Sequence, residues 1–289
     1  MTSPLGILKK YDIRPYKGRG QSFLIDTNII EKIIVSAEIT GRDQVLEIGA
    51  GIGVMTGMIA DRADRVIALE IDRKLIHVLS SELAARSNVE ILEQDILTYD
   101  ISLACADRAD ASGSVTKLRV IGNIPYNISS QILFKLIGYK NEISSMVLMF
   151  QREVADRITA MPGAKDYGFL SVIASMHTAV SRVMIVPASC FYPSPKVESA
   201  VLRLVVRDRP VVDLQDESYF FRLVKTAFSM RRKTLMNNLK NSDLLLQCSE
   251  HDVSSIFDEA MISGQRRAET LTLEEFGRLS NVICSAQKS

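Results

Sequence analysis

Residues 45–60 read "VLEIGAGIGVMTGMIA", and the reading of this stretch decides the fold. A run from Val45 to Ile48, aliphatic except for Glu47, gives way to glycines at positions 49, 51 and 53, then to apolar residues at helical spacing. That pattern is a strand, a tight turn and a helix. Glycine lets the backbone turn sharply and lets a ligand come close, while the helix start offers free N–H groups. Such a turn also serves packing alone, so the motif by itself leaves both readings open.

The flanking sequence extends the pattern. From Asp43 to Arg207, "DQVLEIG", "DRVIALEID", "NVEILEQD", "LRVIGNIP" and "SSMVLMF" read as successive buried strands, with helical segments between most of them. That order predicts an α/β fold with a parallel sheet covered on both faces. "SRVMIVP" and "ESAVLRLVVR", separated by the turn-rich "ASCFYPSPKV", are expected to add an antiparallel edge hairpin, for seven strands in all. Residues 101–117 lack periodicity and read as a surface loop. Beyond "RDRPVV" strand patterns cease and apolar residues recur at helical spacing, as in "LTLEEFGRLSNVI". The expected organisation is a basic segment over 1–20, a ligand-binding α/β domain over 21–209 and a small all-α domain over 210–289.

The chain has 289 residues, 47% hydrophobic and 24% charged, an ordinary globular mixture long enough to bury a substantial core. No apolar run is long enough to span a bilayer and the amino terminus has no apolar signal core, so a cytoplasmic protein without membrane partners is expected. Cys105, Cys190, Cys248 and Cys284 lie far apart without ligand spacing, which argues against structural zinc and a disulfide framework. No metal is expected. The formal charge of +1 conceals two clusters: Lys9, Lys10, Arg14, Lys17 and Arg19 in the first twenty residues, and Arg231, Arg232 and Lys233. Each reads either as a solvated face or as a local phosphate-binding surface.

Two carboxylates follow the glycine loop. Glu70 ends the second strand and Asp95 ends the third, and both should point into the crevice at the carboxyl edge of the sheet. A carboxylate accepts both hydroxyls of a ribose, the role expected of Glu70, and Asp95 is suited to an adenine amino group. Either acid alone reads equally well as a helix cap or loop residue. Their position at successive strand ends favours a nucleoside. The nicotinamide-cofactor fingerprint fits less well, because Val54 stands where its third glycine belongs and Glu47 lies just before the loop. An acidic rim suits a cofactor with a cationic centre.

With these residues the chain resembles the class I S-adenosylmethionine-dependent methyltransferases, whose Rossmann-like domain carries a loop similar to "EIGAGIG". The resemblance places Glu70 at the ribose and Asp95 at the adenine ring. "GNIPY" then falls at the end of the fourth strand, beside the expected methyl group. An adenine amino nitrogen is a poor nucleophile because its lone pair is delocalised. Acceptors for its two hydrogens, the Asn123 amide oxygen and the Ile124 carbonyl, would free that pair, with Pro125 fixing the turn and Tyr126 supplying a ring for a flipped-out base. By spacing alone a polar strand end and a proline turn reads as well. The resemblance of "NIPY" to the motif of amino-group methyltransferases decides for the first.

"GQSFLID", "NIPYNIS", "QREVADRITAMPGAKDYGFLSV", "FYPSPKVESAVLRL" and "AFSMRRKTLMNNL" are similar, in order, to landmarks of the bacterial ribosomal RNA small subunit methyltransferase A family. That resemblance implies N6,N6-dimethylation of two adjacent adenosines in the 3′-terminal hairpin loop of 16S ribosomal RNA, on the immature 30S subunit late in its assembly. It implies S-adenosylmethionine as cofactor, with Gln21, Ser22 and Leu24 closing over its methionine part and Gly49, Gly51, Glu70, Asp95 and Asn123 completing the site. Phe191 would stack on the adenine opposite Tyr126, although a loop aromatic of this kind also packs commonly on a sheet edge. Ser22 stands where the family usually has Asn. Both basic clusters are expected to grip RNA phosphates, and a monomer suffices. The rivals are a large-subunit methyltransferase of the erythromycin-resistance type, which shares the "NIPY" and "FxPxPKV" types of motif, and a non-catalytic assembly or RNA-binding factor.

Overall fold

A computed structural model of the chain describes residues 3–15, 21–105, 117–240, 242–245 and 250–286. The seven expected strands all form and join one sheet: β2 (Gln44–Ile48), β3 (Arg65–Glu70), β4 (Val89–Glu93), β5 (Leu118–Asn123), β6 (Ile143–Gln151), β7 (Thr178–Val186) and β9 (Ser199–Val206), in the order β4-β3-β2-β5-β6-β9-β7. The pairs β2–β3, β3–β4, β2–β5 and β5–β6 are parallel, and β9 runs antiparallel to β6. The expected edge hairpin is thus present as β9 beside β7, with β9 the inner strand. A separate ribbon pairs β1 (Phe23–Leu24) antiparallel with β8 (Phe191–Tyr192). Sequence periodicity gave no sign of this ribbon, because each of its strands is two residues long.

Every residue of β2 is buried, as a central parallel strand covered on both faces requires. The helices before β7 are α1 (Pro4–Lys10), α2 (Thr27–Ser36), α3 (Val54–Ala60), α4 (Arg73–Glu82), α5 (Ser102–Cys105), α6 (Ser129–Gly138), α7 (Arg152–Thr159) and α8 (Phe169–His177). Their starts are chemically marked. Asp26 Oδ1 accepts from the N–H groups of Asn28 and Ile29 at the head of α2, and Asp72 Oδ1 accepts from Lys74 N at the head of α4. One face of the sheet is filled by Ile30, Ile33 and Ile34 of α2 and Ile59 of α3 against Val45, Ile121 and Val147. Within the stretch expected to be loop, α5 forms, and residues 106–116 lie outside the described ones.

The chain divides into two compact units, one of residues 1–155 and 180–206, the other of residues 156–179 and 207–289. The sequence reading assigned 156–179 to the α/β domain. Here they pack with the carboxyl-terminal helices α9 (Glu217–Ala227), α10 (Leu235–Lys240), α11 (Glu250–Glu259) and α12 (Leu273–Ala286). The cause is aromatic. Tyr167 is buried with its hydroxyl donating to the Leu271 carbonyl at 3.0 Å, and Phe169 meets Phe221 edge-on at 4.9 Å between ring centroids. Helical periodicity shows that such residues are buried but not against what. Among the described residues, no helix is long and apolar enough to cross a membrane.

The sheet is tightest at Gly122. A methyl group there would stand 3.1 Å from the Ile48 carbonyl oxygen and 3.2 Å from Ile48 Cβ on the neighbouring strand. Backbone in a central strand cannot give way cheaply, so Gly122→Ala should cost about 1–3 kcal/mol of stability. Thermal denaturation followed by circular dichroism checks this, and an unchanged melting temperature would contradict it.

Candidate active site

The sheet order reverses at β2, since the chain runs outward through β3 and β4 and then returns to β5 on the other side. A crevice opens at the carboxyl ends of strands at such a reversal. Register decides what lines it. Ile48 pairs with Leu69 on one side and Gly122 on the other, so Glu70, Gly49 and Asn123 follow in a row along one edge. Gly49 has φ +74°, and a Cβ there would lie 3.2 Å from the Asn123 carbonyl oxygen, a position for glycine alone. The resulting cleft, about 930 Å³ including its mouth, is lined by Gln21, Ser22, Gly49, Gly51, Glu70, Asp95 and the whole Asn123–Tyr126 stretch. Of the expected cofactor-site residues, Leu24 is the exception. Its side chain lies in the core and faces a smaller cavity behind the glycine loop.

Glu70 is buried at the floor of this cleft. One carboxylate oxygen accepts from Gly51 N and the other from Ile71 N and Asp72 N, each at 2.9 Å. Burial pushes its carboxyl above the usual range, and those three N–H groups pull it part of the way back. Glu70 therefore shapes the glycine loop as well as facing the cleft. Asp95 Oδ1 accepts from Leu97 N at 2.9 Å, so the capping role and the site position coexist in one residue. Glu47 is fully buried, and neither of its oxygens nor the Thr56 hydroxyl has a hydrogen-bond partner among the described residues. Burial raises its pKa from 4.5 to about 8; nearby Thr56 offsets part of this, and the Glu70 charge adds to it.

Asn123 Nδ2 donates to the Ser22 carbonyl at 3.2 Å, which fixes the orientation of the amide and leaves Oδ1 as its acceptor end. Ile124 and Pro125 line the cleft beside it. The Ser22 hydroxyl donates to the Pro193 carbonyl at 2.7 Å, and Gln21 Nε2 donates to Asp72 Oδ2 at 3.0 Å. The segment before α2 is thereby tied to the Asn123 strand end and to Pro193 just after β8. A serine reaches that carbonyl, which accounts for the short side chain at position 22.

Phe191 is not where a stacking role would put it. It is 3% exposed, packed in the core with Leu24, and its ring would have to leave that core to meet a base. The ribbon explains why. Opposed residues of an antiparallel pair share a face, so Leu24 and Phe191 point to the core while Phe23 and Tyr192 point the other way. Phe23 lines the cleft and lies against Gly51, and Tyr192 is 47% exposed. Neither Phe23 nor Tyr192 was picked out from sequence. The register that distinguishes Tyr192 from its neighbour exists only once β1 and β8 pair.

The basic residues divide similarly. Lys9 is exposed, and the Arg14 side chain is 87% exposed. Lys10, by contrast, bonds Glu82 at 2.7 Å, with the Tyr11 hydroxyl on the same carboxylate oxygen. Lys17 and Arg19 lie outside the described residues. In the second unit Arg232 and Lys233 are exposed, but the Arg231 guanidinium is engaged by the Lys165 and Tyr167 carbonyls and by Glu269. Lys10 and Arg231 thus make local ion pairs while their side chains stay 57% and 50% exposed, and Arg14 itself lies 3.6 Å from Asp12.

Residues 16–279 match the family described as Ribosomal RNA adenine dimethylase. The ribosomal RNA small subunit methyltransferase A of Geobacillus sp. (strain WCH70) is 42% identical over 277 residues, covering 96% of this chain and 94% of the relative. That of Syntrophus aciditrophicus (strain SB) is 41% identical, covering 98% and 99%. Among solved structures, a dimethyladenosine transferase from Plasmodium falciparum superposes with a TM-score of 0.71 at 27% identity, covering 88% of this chain and 94% of that one. The 23S rRNA methyltransferase ErmE superposes with a TM-score of 0.66 at 26% identity, covering 91% and 99%.

Glu47 makes stability depend on pH in a set direction. Its folded pKa of about 8 lies above its ordinary 4.5, so between these values the folded chain holds a proton that the unfolded chain has lost. Stability contributed by this group is complete below pH 4.5 and falls as pH rises toward 8, by an amount on the order of a few kcal/mol. Glu47→Gln cannot titrate and should flatten this part of the slope. Melting temperatures of both proteins between pH 5 and 8 test it; parallel slopes would refute the assignment.

Proposed function

The chain belongs to the ribosomal RNA adenine dimethylase family, and from that membership we propose that it methylates adenine N6 amino groups of small-subunit ribosomal RNA with S-adenosylmethionine. The observation that carries the reading is the single row of Glu70, Gly49 and Asn123 along the crevice, continued by Tyr126. The residues present suit the cofactor. Gly49 keeps the crevice free of a side chain at its narrowest point, Glu70 and Asp95 offer acceptors for hydroxyl and amino groups, and Ile71 and Ile96 give apolar walls. S-adenosylmethionine, when bound, supplies a methyl group on a sulfonium that is already a good leaving group.

The protein's own contribution is placement and polarity. Asn123, its amide held by the Ser22 carbonyl, presents Oδ1 to one hydrogen of the target amino group. The Ile124 carbonyl takes the second hydrogen. Drawing on both hydrogens moves the nitrogen toward a pyramidal, nucleophilic geometry. Pro125 holds the turn at φ −58°, and Tyr126 offers its ring to the base. Phe191 is buried in the core, and Tyr192, paired with the cleft-lining Phe23, offers an exposed ring.

The proposed substrate is the pair of adjacent adenosines in the 3′-terminal hairpin loop of 16S ribosomal RNA, within the immature 30S subunit, methylated late in assembly by a cytoplasmic monomer. Support comes from the near-full-length identity to small-subunit relatives, higher than that to ErmE. Lys9 and Arg14 in the first unit, and Arg232 and Lys233 in the second, are the exposed cations assigned to RNA phosphates.

Transfer of labelled methyl groups to immature small subunits, with nuclease mapping, tests the reading. Dimethyladenosine at adjacent positions near the RNA 3′ end is expected. Label in large subunits would favour the resistance-type substrate, and particle binding without label an assembly factor. Asn123→Ala should lower transfer by about 10²–10³-fold while particle binding stays within a few-fold. Near-normal transfer would remove the acceptor role. Replacing Arg232 and Lys233 with Gln should reduce the slope of log affinity against log salt by roughly 0.7–0.9 per lost phosphate contact. An unchanged slope would release these residues from RNA binding.

A further inference from the structure

Tyr126 meets a side chain that the proposed chemistry does not use. Its hydroxyl lies 2.5 Å from Ser199 Oγ, and Ser199 is fully buried as the first residue of β9. The topology makes the meeting possible. Because β9 is antiparallel to β6, its beginning rather than its end lies at the edge where the parallel strands finish, and Ser199 pairs with Gln151, the last residue of β6. Two strands across, Asn123 pairs with Met149 at the end of β5. The sheet thus delivers a buried hydroxyl to the rim that carries Asn123 and Tyr126.

Tyr126 is held at its other end as well, since the buried Ser129 donates from Oγ to the Tyr126 carbonyl at 3.1 Å. With its phenol tethered, the side chain cannot swing about its Cα–Cβ bond without breaking that hydrogen bond, while rotation about Cβ–Cγ leaves the hydroxyl in place. Loss of the Ser199 hydroxyl would leave a half-buried phenol without this partner, and the phenol would swing to find water. Burial pushes the Tyr126 phenol above its ordinary range, so it is neutral at working pH and the contact is a hydrogen bond between two hydroxyls.

We propose that Ser199 is a positioning residue for base recognition: it fixes where the Tyr126 ring stands at the rim, so that the ring is already in place for the adenine beside Asn123. The proposal rests on the methyltransferase reading of the same cleft. Ser199 touches neither base nor cofactor and acts through Tyr126. Preorganisation of this kind acts on productive placement of the base, not on cofactor affinity.

A double-mutant cycle tests it. Ser199→Ala, Tyr126→Phe and the double variant are assayed for labelled methyl transfer to immature small subunits, with KM for S-adenosylmethionine and melting temperature measured alongside. Each single variant should lose roughly threefold to tenfold in kcat/KM for the RNA, the worth of one hydrogen bond, with KM for S-adenosylmethionine within twofold of wild type. The double variant should lose no more than either single one. Ser199→Thr keeps the hydroxyl on a strand-favouring side chain and should retain activity within about threefold of wild type. Multiplicative losses, a Ser199→Ala enzyme at wild-type rate, a Thr variant as impaired as the Ala variant, or a loss confined to KM for S-adenosylmethionine would each overturn the proposal. Absence of transfer by the wild-type protein would instead overturn the underlying reading.

Discussion

At Gly49 two backbones approach so closely that no side chain fits between them. The glycine loop leaves β2 with its Cα next to the Asn123 carbonyl of β5, and both Gly49 and Ala50 donate to the Leu69 carbonyl of β3. Three parallel strands are thereby joined at their carboxyl ends by hydrogen bonds and close packing. The crevice follows from that constraint. Slipping β5 by one residue would turn Asn123 to the other face of the sheet and separate its amide from the glycine loop.

Around this row the chain concentrates carboxylates in a region of low polarity. Glu70 is tolerated there because three N–H groups face it, and Glu47 because it can stay protonated. The two differ in kind. At Glu70 three N–H donors offset part of the upward push of burial and set the shape of the glycine loop, whereas at Glu47 only nearby Thr56 offsets it and the pKa rises to about 8. An acidic floor beneath a glycine loop would repel a pyrophosphate and favours a ligand with a cationic centre.

The antiparallel strand plays a part that a wholly parallel sheet could not. Inserted between β6 and β7, β9 begins where its neighbour ends, so the segment after β8 and Ser199 arrive at the rim that carries Asn123 and Tyr126 from the opposite direction. Ser22 then ties that loop to the segment before α2 and, through its carbonyl, to Asn123. The segment before α2, the Asn123 end of the cleft and Pro193 are thereby joined through one short polar side chain and its backbone carbonyl.

Most of this fold was legible in the amino-acid order. The alternation of apolar runs with helical segments marked every strand of the main sheet, and the glycines, Glu70, Asp95 and Asn123 stood at strand ends, where ligands of such sheets bind. Sequence alone therefore determined the strands of the main sheet and the residues that end them, because periodicity and turn chemistry are local properties, whereas the two-residue strands β1 and β8 and the short α5 left no such mark. It could not determine which of two adjacent aromatics, Phe191 or Tyr192, faces solvent. Nor could it show that Lys10 and Arg231 spend their charge on Glu82 and Glu269, that residues 156–179 pack with the helical unit, or that Ser199 reaches Tyr126. Those are matters of strand register and of contacts between residues far apart in the chain, and only tertiary structure decides them, because a side chain's direction depends on what its strand pairs with.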